Sequence, residues 1–486
     1  MQTPEPQDVQ TGRQSARTAQ RCAVRHRPAR LEPGAWRAAG AEPLDWPTDA
    51  EIPAGAVTVE RGGLARCRSL RVGDADAAAA LKVRGTMVAA ATHLTLGAER
   101  RSRAWMDMES AFASAPVIHV GAMGAGLLSM VDAGLGMPHA PIRHLVLGVG
   151  RGAAGDLCLE ARSGAASEVL ADRIVVGAAG AGQLQKADFA GRVSANVSLV
   201  LGAERSGHGS ASFGRAGVGS ALVAGAVVVG DEGSGSLTLA GRSYVRGDVT
   251  VARAAGSTGL LAVAAEERPS RCEPGLVVAG NLRLGAGHAE VVVRAAADAT
   301  GLQVEGRITD APDHTPSSRR HDSPATLRVD GALDAGGVEL ERTLLSGHGR
   351  VHIRGDAPLR VGAAAGVAPG ATPGCGGRRF ARLTVDGSLH CRGTLHLRAD
   401  AEEGGADAVE ITGDATLEHA TLRVELTAAP LRAAPDGAAT ARRMLLLRAS
   451  RLRIRGLRVE LPDEAAGVRI TLLRTATTLE LLATPR

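Results

Sequence analysis

Seven glycines recur through the first half of the chain: Gly73, Gly97, Gly121, Gly150, Gly177, Gly202 and Gly230, spaced 24 to 29 residues apart. Most close an apolar-x-apolar-Gly step ("LTLG", "IHVG", "IVVG", "LVLG", "VVVG"). A short loop follows, often with a second glycine, then an x-Leu-x-apolar stretch. A further anchor, Gly285 in "NLRLGAGHAEVVV", comes after the loop-like insertion "AAEERPSRCEPG". Each unit supplies two or three short strands of period-2 alternation separated by glycine turns. One unit cannot bury its own apolar stripe. Stacked copies can, while their backbones pair with the units above and below. A rung of this length fits one coil of a parallel β-helix, with glycine taking the corner backbone that other residues resist. Helix is a poor alternative, since Gly and β-branched residues recur too often for segments of 3.6-residue period.

Composition agrees with narrow, stacked cross-sections. The 486 residues hold 63 glycines, while aromatics are only 2%, so the core must be made of Ala, Val and Leu rather than large rings. The net charge of +5 is a small difference between 56 basic and 51 acidic residues. The tract "GRQSARTAQRCAVRHRPAR" is basic throughout, but no aromatic residues interleave for base stacking, so specific nucleic-acid binding is not expected.

The six cysteines, Cys22, Cys67, Cys158, Cys272, Cys375 and Cys391, lie far apart, with no C-x-x-C and no zinc-finger spacing. They read as isolated thiols, with a Cys375–Cys391 pair open to an exported chain. Cys391 continues the apolar series Leu383, Val385, Leu389, Leu395, Leu397 and belongs to a core face. No apolar run approaches the ~18 residues of a membrane span. The start "MQTPEPQDVQ" has neither the basic nor the apolar region of a signal peptide, so the usual secretory route is not expected from it.

The expected organisation is a disordered basic arm over 1–55, a β-solenoid repeat region over 56–308, a polar loop over 309–325, and C-terminal solenoid coils with closing strands over 326–486. Within the last part, "GVAPGATPGCGG" (366–377) carries two Pro-Gly pairs and reads as a turn-rich joint that breaks the ladder.

Catalytic chemistry has candidates but no constellation. Glu339 and Glu341, like Asp400 and Glu402, are two apart on strands and share a face. Paired carboxylates of this kind can bind a cation or cleave a glycan, yet a solvated outer face is the simpler reading. His348 and His352 would sit ~13 Å apart on a regular strand, too far for one metal ion. His390 and His396 face outward beside apolar neighbours. Arg-Gly-Asp occurs at Arg246–Asp248 and Arg354–Asp356, where a turn after an arginine-bearing strand is the default and an integrin-like ligand the exception. "GAMGAG" and "GAAGAG" lack the Lys-Ser/Thr of a phosphate loop and read as turns. No catalytic, cofactor-binding or metal-ligating residue is assigned, and no cofactor is expected.

The ordered set of "VVGxxGxGxL"-type repeats, "LSGHGRVHI" followed by "GVAPGATPG", "LTVDGSL", and the Leu-rich ending from "ARRMLLLRASRLRIRGLRVEL" resembles the passenger region of bacterial autotransporters and PEP-CTERM-type exported repeat proteins. The resemblance spans about residues 70–486. It implies a right-handed parallel β-helix at the cell surface, non-enzymatic, serving adhesion or acting as a stalk, with a host-cell or matrix surface or a cell-wall glycan as partner. A carbohydrate-active β-helix enzyme and a non-functional fragment are the alternatives.

Overall fold

The computed structural model describes residues 29–30, 49–59, 64–73, 76, 78–162, 166–186, 191–214, 222–264, 274–294, 299–310, 325–370, 380–400, 404–426, 441–461 and 468–485. Every regular element among them is a β-strand, and the coils from Asp49–Ile52 to Arg458–Glu460 pair with one another in parallel, the antiparallel exceptions being the short Ala399–Asp400/Gly405–Ala406 contact, the Met137–Ala140 bridge and the closing hairpin on Arg442–Arg448. The chain is an all-β parallel solenoid.

Each coil has three arms. In one coil they are Met87–Ala90 and His93–Leu96, joined by a bend within a single strand, then Arg103–Glu109 after the corner at Gly97. The next coil repeats them as Phe112–Ser114, Val117–Val120 and, after Gly121, Ala125–Val131. First and second arms stack into one long sheet and third arms into another. The period-2 pattern sends alternate side chains inward. A single interior column runs Ile52, Val72, Leu96, Val120, Leu147, Val176, Leu201, Val229, Val251, Leu284. It resumes at Leu340 and continues through Val361, Cys391, Leu417 and Ile454. Cys391 is fully buried, as its place in the alternation requires. Each fully buried Leu or Val contributes about 1.5–3 kcal/mol, so the solenoid is stabilised along its length chiefly by aliphatic residues, Phe213 being the one fully buried aromatic among the described residues.

Corner residues form a second column. The amides of Gly97, Gly121, Gly148, Gly177, Gly202 and Gly230 each donate to the carbonyl of the residue before the corner one coil back, at 2.8–2.9 Å. These six have φ between 65° and 74°, where a side chain is disfavoured. Gly150 is not the anchor of its coil: Gly148, two residues earlier in "LGVG", holds the left-handed corner. In the coil after Gly230 the corner is Ala252, forced to φ 54° and fully buried, with Gly285 above it donating to Val251. The repeat thus survives the loss of its glycine.

Three expected boundaries shift. Asp49–Ile52 is already a strand, paired in parallel with Ser69–Val72, and Ala29–Arg30 pairs with Val57–Thr58, so 1–55 is not a uniform arm. Residues 1–28 and 31–48 of that arm lie outside the described residues. Thr309 and Asp310 end a strand rather than begin a loop, and 311–324 lie outside the described residues. In the turn-rich segment, Gly366–Pro369 is no turn but a third-arm strand in register with Leu344–Gly347. The ladder holds there because Pro369 ends its strand, where a missing N–H breaks no interior bond. The turn begins at Gly370 (φ 67°), and 371–379 lie outside the described residues.

The closing strands are present but antiparallel. Val468–Arg474 and Thr478–Pro485 form a hairpin, whose second strand pairs antiparallel with Arg442–Arg448. This covers the first arm of the last coil.

Candidate functional site

The outer surface is organised by the same register as the core. Parallel arms stack about 4.8 Å apart, so an outward charge lies beside the outward residues of the coils next to it. Opposite charges meet in this way: Arg307 with Glu339 (3.2 Å), Arg283 with Asp248 (2.8 Å), Arg423 with Glu460 (2.8 Å) and Arg382 with Glu410 (3.3 Å). Exposed pairs of this kind contribute little each, about 0–1 kcal/mol, but they fix what the surface offers a ligand.

The sequence candidates fall into this pattern. Glu339 is paired with Arg307, while Glu341 sits past the strand end, its amide donating to Asp310. The two carboxylates therefore do not form a site. Asp400 is buried at the end of its strand, and Glu402 lies outside the described residues. His348 contacts Asp330 (3.1 Å), which also pairs with Arg328, while His352 contacts Asp386 (2.9 Å), His390 Glu418 (3.3 Å) and His396 Glu425 (3.5 Å), each an imidazole–carboxylate contact between two residues of neighbouring coils. The Thr412 hydroxyl and the His352 ring hold the Asp386 carboxyl below its ordinary range. In the first Arg-Gly-Asp, Asp248 accepts from the amide of Asn281 (2.8 Å) and pairs with Arg283, and Arg246 donates to the Asn196 carbonyl (3.3 Å). In the second, Arg354 donates to the Val304 carbonyl (2.5 Å) and pairs with Asp334 (3.0 Å). Both arginines are held laterally along the solenoid. Cys67, Cys158 and Cys391 are free thiols, and burial pushes Cys67 and Cys391 up to about 11. Cys375 lies outside the described residues.

Two buried carboxylates have structural work that the sequence does not announce. Asp310 follows Leu284 in the interior column. It accepts from the amides of Glu341 (2.8 Å) and Arg342 (2.5 Å) and from the Thr343 hydroxyl (3.0 Å). It replaces the backbone acceptor that the preceding coil supplies at other corners. Asp407, fully buried, binds Arg398 through Nε (2.8 Å) and Nη2 (3.2 Å) and accepts from the Ala381 amide (2.8 Å). It clamps the coil that follows Gly370.

One stretch of surface departs from the charge pairing. On the third arms of three successive coils the outward residues are Gln183 and Gln185, then His208, Ser210 and Ser212, then Ser234, Ser236 and Thr238. His208 and Ser234 are hydrogen-bonded across the coils. This field of hydroxyl, amide and imidazole groups contains no carboxylate or guanidinium. At its upstream edge the same column continues through Asp156 and Leu127 to Trp105. Burial raises the Asp156 carboxyl above its ordinary value. On the second arms, His93, His119 and His144 lie on consecutive coils; burial and the two neighbouring imidazoles hold His119 below its ordinary value. No group of three His, Cys, Asp or Glu among the described residues could hold a metal ion. No helix among them is long and apolar enough to cross a membrane.

The fold and surface define a class: a parallel β-solenoid with a laterally self-paired charged exterior and one uncharged polar field. Compared with known proteins, no family model matches the chain, and no curated protein matches it. Among solved structures, the crystal structure of the Haemophilus influenzae Hap adhesin aligns with a TM-score of 0.25 and 10% identity, over 90% of this chain and 58% of that one. The chain thus spans little more than half the length of that protein. Likeness at this level carries no argument about function, and the solenoid is established by its own ladder.

Proposed function

We propose that the chain is a non-enzymatic, surface-displayed β-solenoid that acts in adhesion or as a structural stalk, as its resemblance to exported passenger regions implies. Its partner class is a glycan or a host-cell or matrix surface. The observation that carries this reading is the uncharged polar field on the third arms. It repeats the same small hydrogen-bonding groups from coil to coil and is suited to many weak contacts along an extended polymer rather than to one pocket. The carboxylates with catalytic spacing support the same reading, because Glu339 is engaged by an arginine and Glu341 stands apart from it.

A second reading, a carbohydrate-active enzyme, is favoured by one observation: Asp156, with its raised carboxyl, lies in the same column as Trp105 and Leu127. A carboxyl whose hold on its proton is strengthened by burial leans toward general-acid work, and an aromatic ring is suited to a sugar face.

The test is retention of the purified chain on immobilised cell-wall glycans and matrix proteins, with reducing ends assayed in parallel. Adhesion predicts retention that falls when Ser210→Arg and Ser236→Arg are introduced together, with no release of reducing ends. Release of reducing ends that Asp156→Asn abolishes would replace adhesion with the enzymatic reading. No retention on any surface would remove the adhesive function.

A further inference from the structure

Lysine occurs only twice in the chain, at Lys82 and Lys186, and the second stands where a hydrophobic residue belongs. The inward column near the end of the third arms is apolar from Val59 through Met130 to Leu159. It then takes Lys186, and is apolar again from Phe213 through Val263 to Val329. Every other member of the column is buried. Lys82, by contrast, is half-buried on the outward side of its arm, in register with Asp107.

Lys186 is only 8% exposed, and its arm alternates outward Gln183 and Gln185 with inward Leu184 and Lys186. It lies between Leu159 of one neighbouring coil and the fully buried Phe213 of the other. Around the bend, Gly191 opens the first arm of the next coil and leaves the side chain room: a Cβ there would stand 3.2 Å from Lys186 Cε. Burial alone, with no carboxylate contributing, weakens the hold of the Lys186 amine on its proton. A lysine desolvated in this way is drawn toward its neutral, nucleophilic form. Arginine, the cation the chain uses almost everywhere else, stays charged when buried and offers no such nucleophile.

We propose that Lys186 is a covalent capture site for small aldehydes. The Nζ lone pair attacks the carbonyl carbon, and an amine proton passes to the carbonyl oxygen to give a carbinolamine. Loss of water then leaves an imine between Nζ and the aldehyde carbon, with no oxidant or reductant required. The product suits the column better than the free amine does. A neutral amine brings two unpaired N–H donors into an apolar interior, whereas the imine has none. The alkyl group of the aldehyde joins the apolar side chains of Leu159 and Phe213. Limited exposure selects a small carbonyl compound over a polymer. The site therefore stands apart from the polar field, which occupies the outward side of the same arm at Gln183 and Gln185.

The test treats the full chain with propanal and sodium cyanoborohydride, which traps an imine as a stable secondary amine, and locates the label by peptide mass spectrometry across a pH series. With only two lysines, Lys82 is the internal reference. At neutral pH Lys186 should be labelled about tenfold or more over Lys82. Its labelling should also set in at lower pH in the folded chain than in urea, because unfolding returns the amine to water. Propanal without the reductant should raise the urea midpoint of the native chain but not that of Lys186→Leu, which circular dichroism checks for folding. Equal labelling of the two lysines, or a Lys186 pH profile unchanged by unfolding, would reveal an ordinary solvated ammonium and overturn the proposal. So would labelling of Lys186 in urea alone, which would mean an amine sealed from reagents, or a midpoint that propanal leaves unmoved. Reaction of Lys186 with acetic anhydride but not with propanal would overturn the aldehyde assignment and make the residue an acyl acceptor.

Discussion

Replacing Gly177 by alanine tests whether the corner glycines are needed for conformation alone or for the close approach of successive coils. Gly177 has φ 69°, which costs an alanine about 1–2 kcal/mol. A Cβ there would also fall on the carbonyl group of His208 in the next coil and 2.6 Å from the amide nitrogen of Gly209. No rotamer relieves a clash between a Cβ and backbone. The coils must part by about an ångström, which takes an N–H···O bond beyond its useful range. The bonds at risk are Ala203 to Gly177 (3.1 Å), Glu204 to Ala178 (2.8 Å) and His208 to Gly180 (2.9 Å). At about 0.5–1.5 kcal/mol for each bond, two or three of them plus the backbone term bring the loss to about 3–5 kcal/mol.

Gly256 is the control. It has φ 86°, and nothing lies within 4 Å of the point an alanine methyl would occupy. Alanine there meets only the backbone term, partly offset by about 0.4–1 kcal/mol from a stiffer unfolded chain. Urea unfolding gives the global difference. Native-state hydrogen exchange over Val169–Leu184 and Val193–Phe213 locates it, since a repeat array need not unfold in one step. The Gly177→Ala loss should exceed the Gly256→Ala loss by about 2 kcal/mol or more, concentrated in those two coils. Equal losses would show that the corner glycines are needed for φ alone.

Asp310→Leu, although it restores an apolar residue to the column between Leu284 and Leu340, should destabilise the chain by about 2–4 kcal/mol by leaving the Glu341 and Arg342 amides unpaired; a neutral or stabilising result in urea melts would refute the capping role. Asp407→Asn should cost about 3 kcal/mol or more by stranding the part-buried Arg398, read as faster proteolysis in the coil from Arg382 to Asp400. Asp49, lowered from 3.8 to about 2 chiefly by its hydrogen bond to Arg68, contributes stability that is present above pH 3.8 and lost as pH falls through about 2. Amide exchange in Gly55–Val59 should accelerate over that window, and less so in Asp49→Asn. At pH 8 iodoacetamide should label Cys158 before Cys67 or Cys391, because the latter two are buried and held near 11; peptide mapping that finds Cys391 labelled first in folded protein would contradict its core placement.

The solenoid was legible in the sequence because its two determinants are local: alternation along each arm and glycine at each corner. Where a determinant is not local, the reading fails. "LGVG" offers two glycines, and only stacking against Ala181 in the next coil selects Gly148 over Gly150. Ala252 has no glycine signature, and its left-handed φ is imposed by coils on both sides. "GVAPG" looks like turn chemistry, yet Gly366–Pro369 is held extended by Leu344–Gly347 below it. Asp310 and Asp407 are buried for reasons that appear only when amides distant in sequence converge on them.

The same distinction explains why the surface was harder to read than the core. Inward residues are fixed by a rule that every coil repeats, so a single coil is informative. Outward residues acquire meaning only from their neighbours one coil away: Glu339 is neutralised by an arginine 32 residues distant, and Asp248 by one in the following coil. Pairs judged by sequence spacing, such as Glu339 with Glu341, are therefore the wrong pairs. The relevant spacing is the length of a coil, and that length varies from corner to corner. Read at coil spacing, the charged residues largely cancel along the body. The exception is the polar field on the third arms, where no carboxylate or guanidinium stands among Gln183, Gln185, Ser210, Ser212, Ser236 and Thr238, and it is on that field that the proposed adhesive role rests.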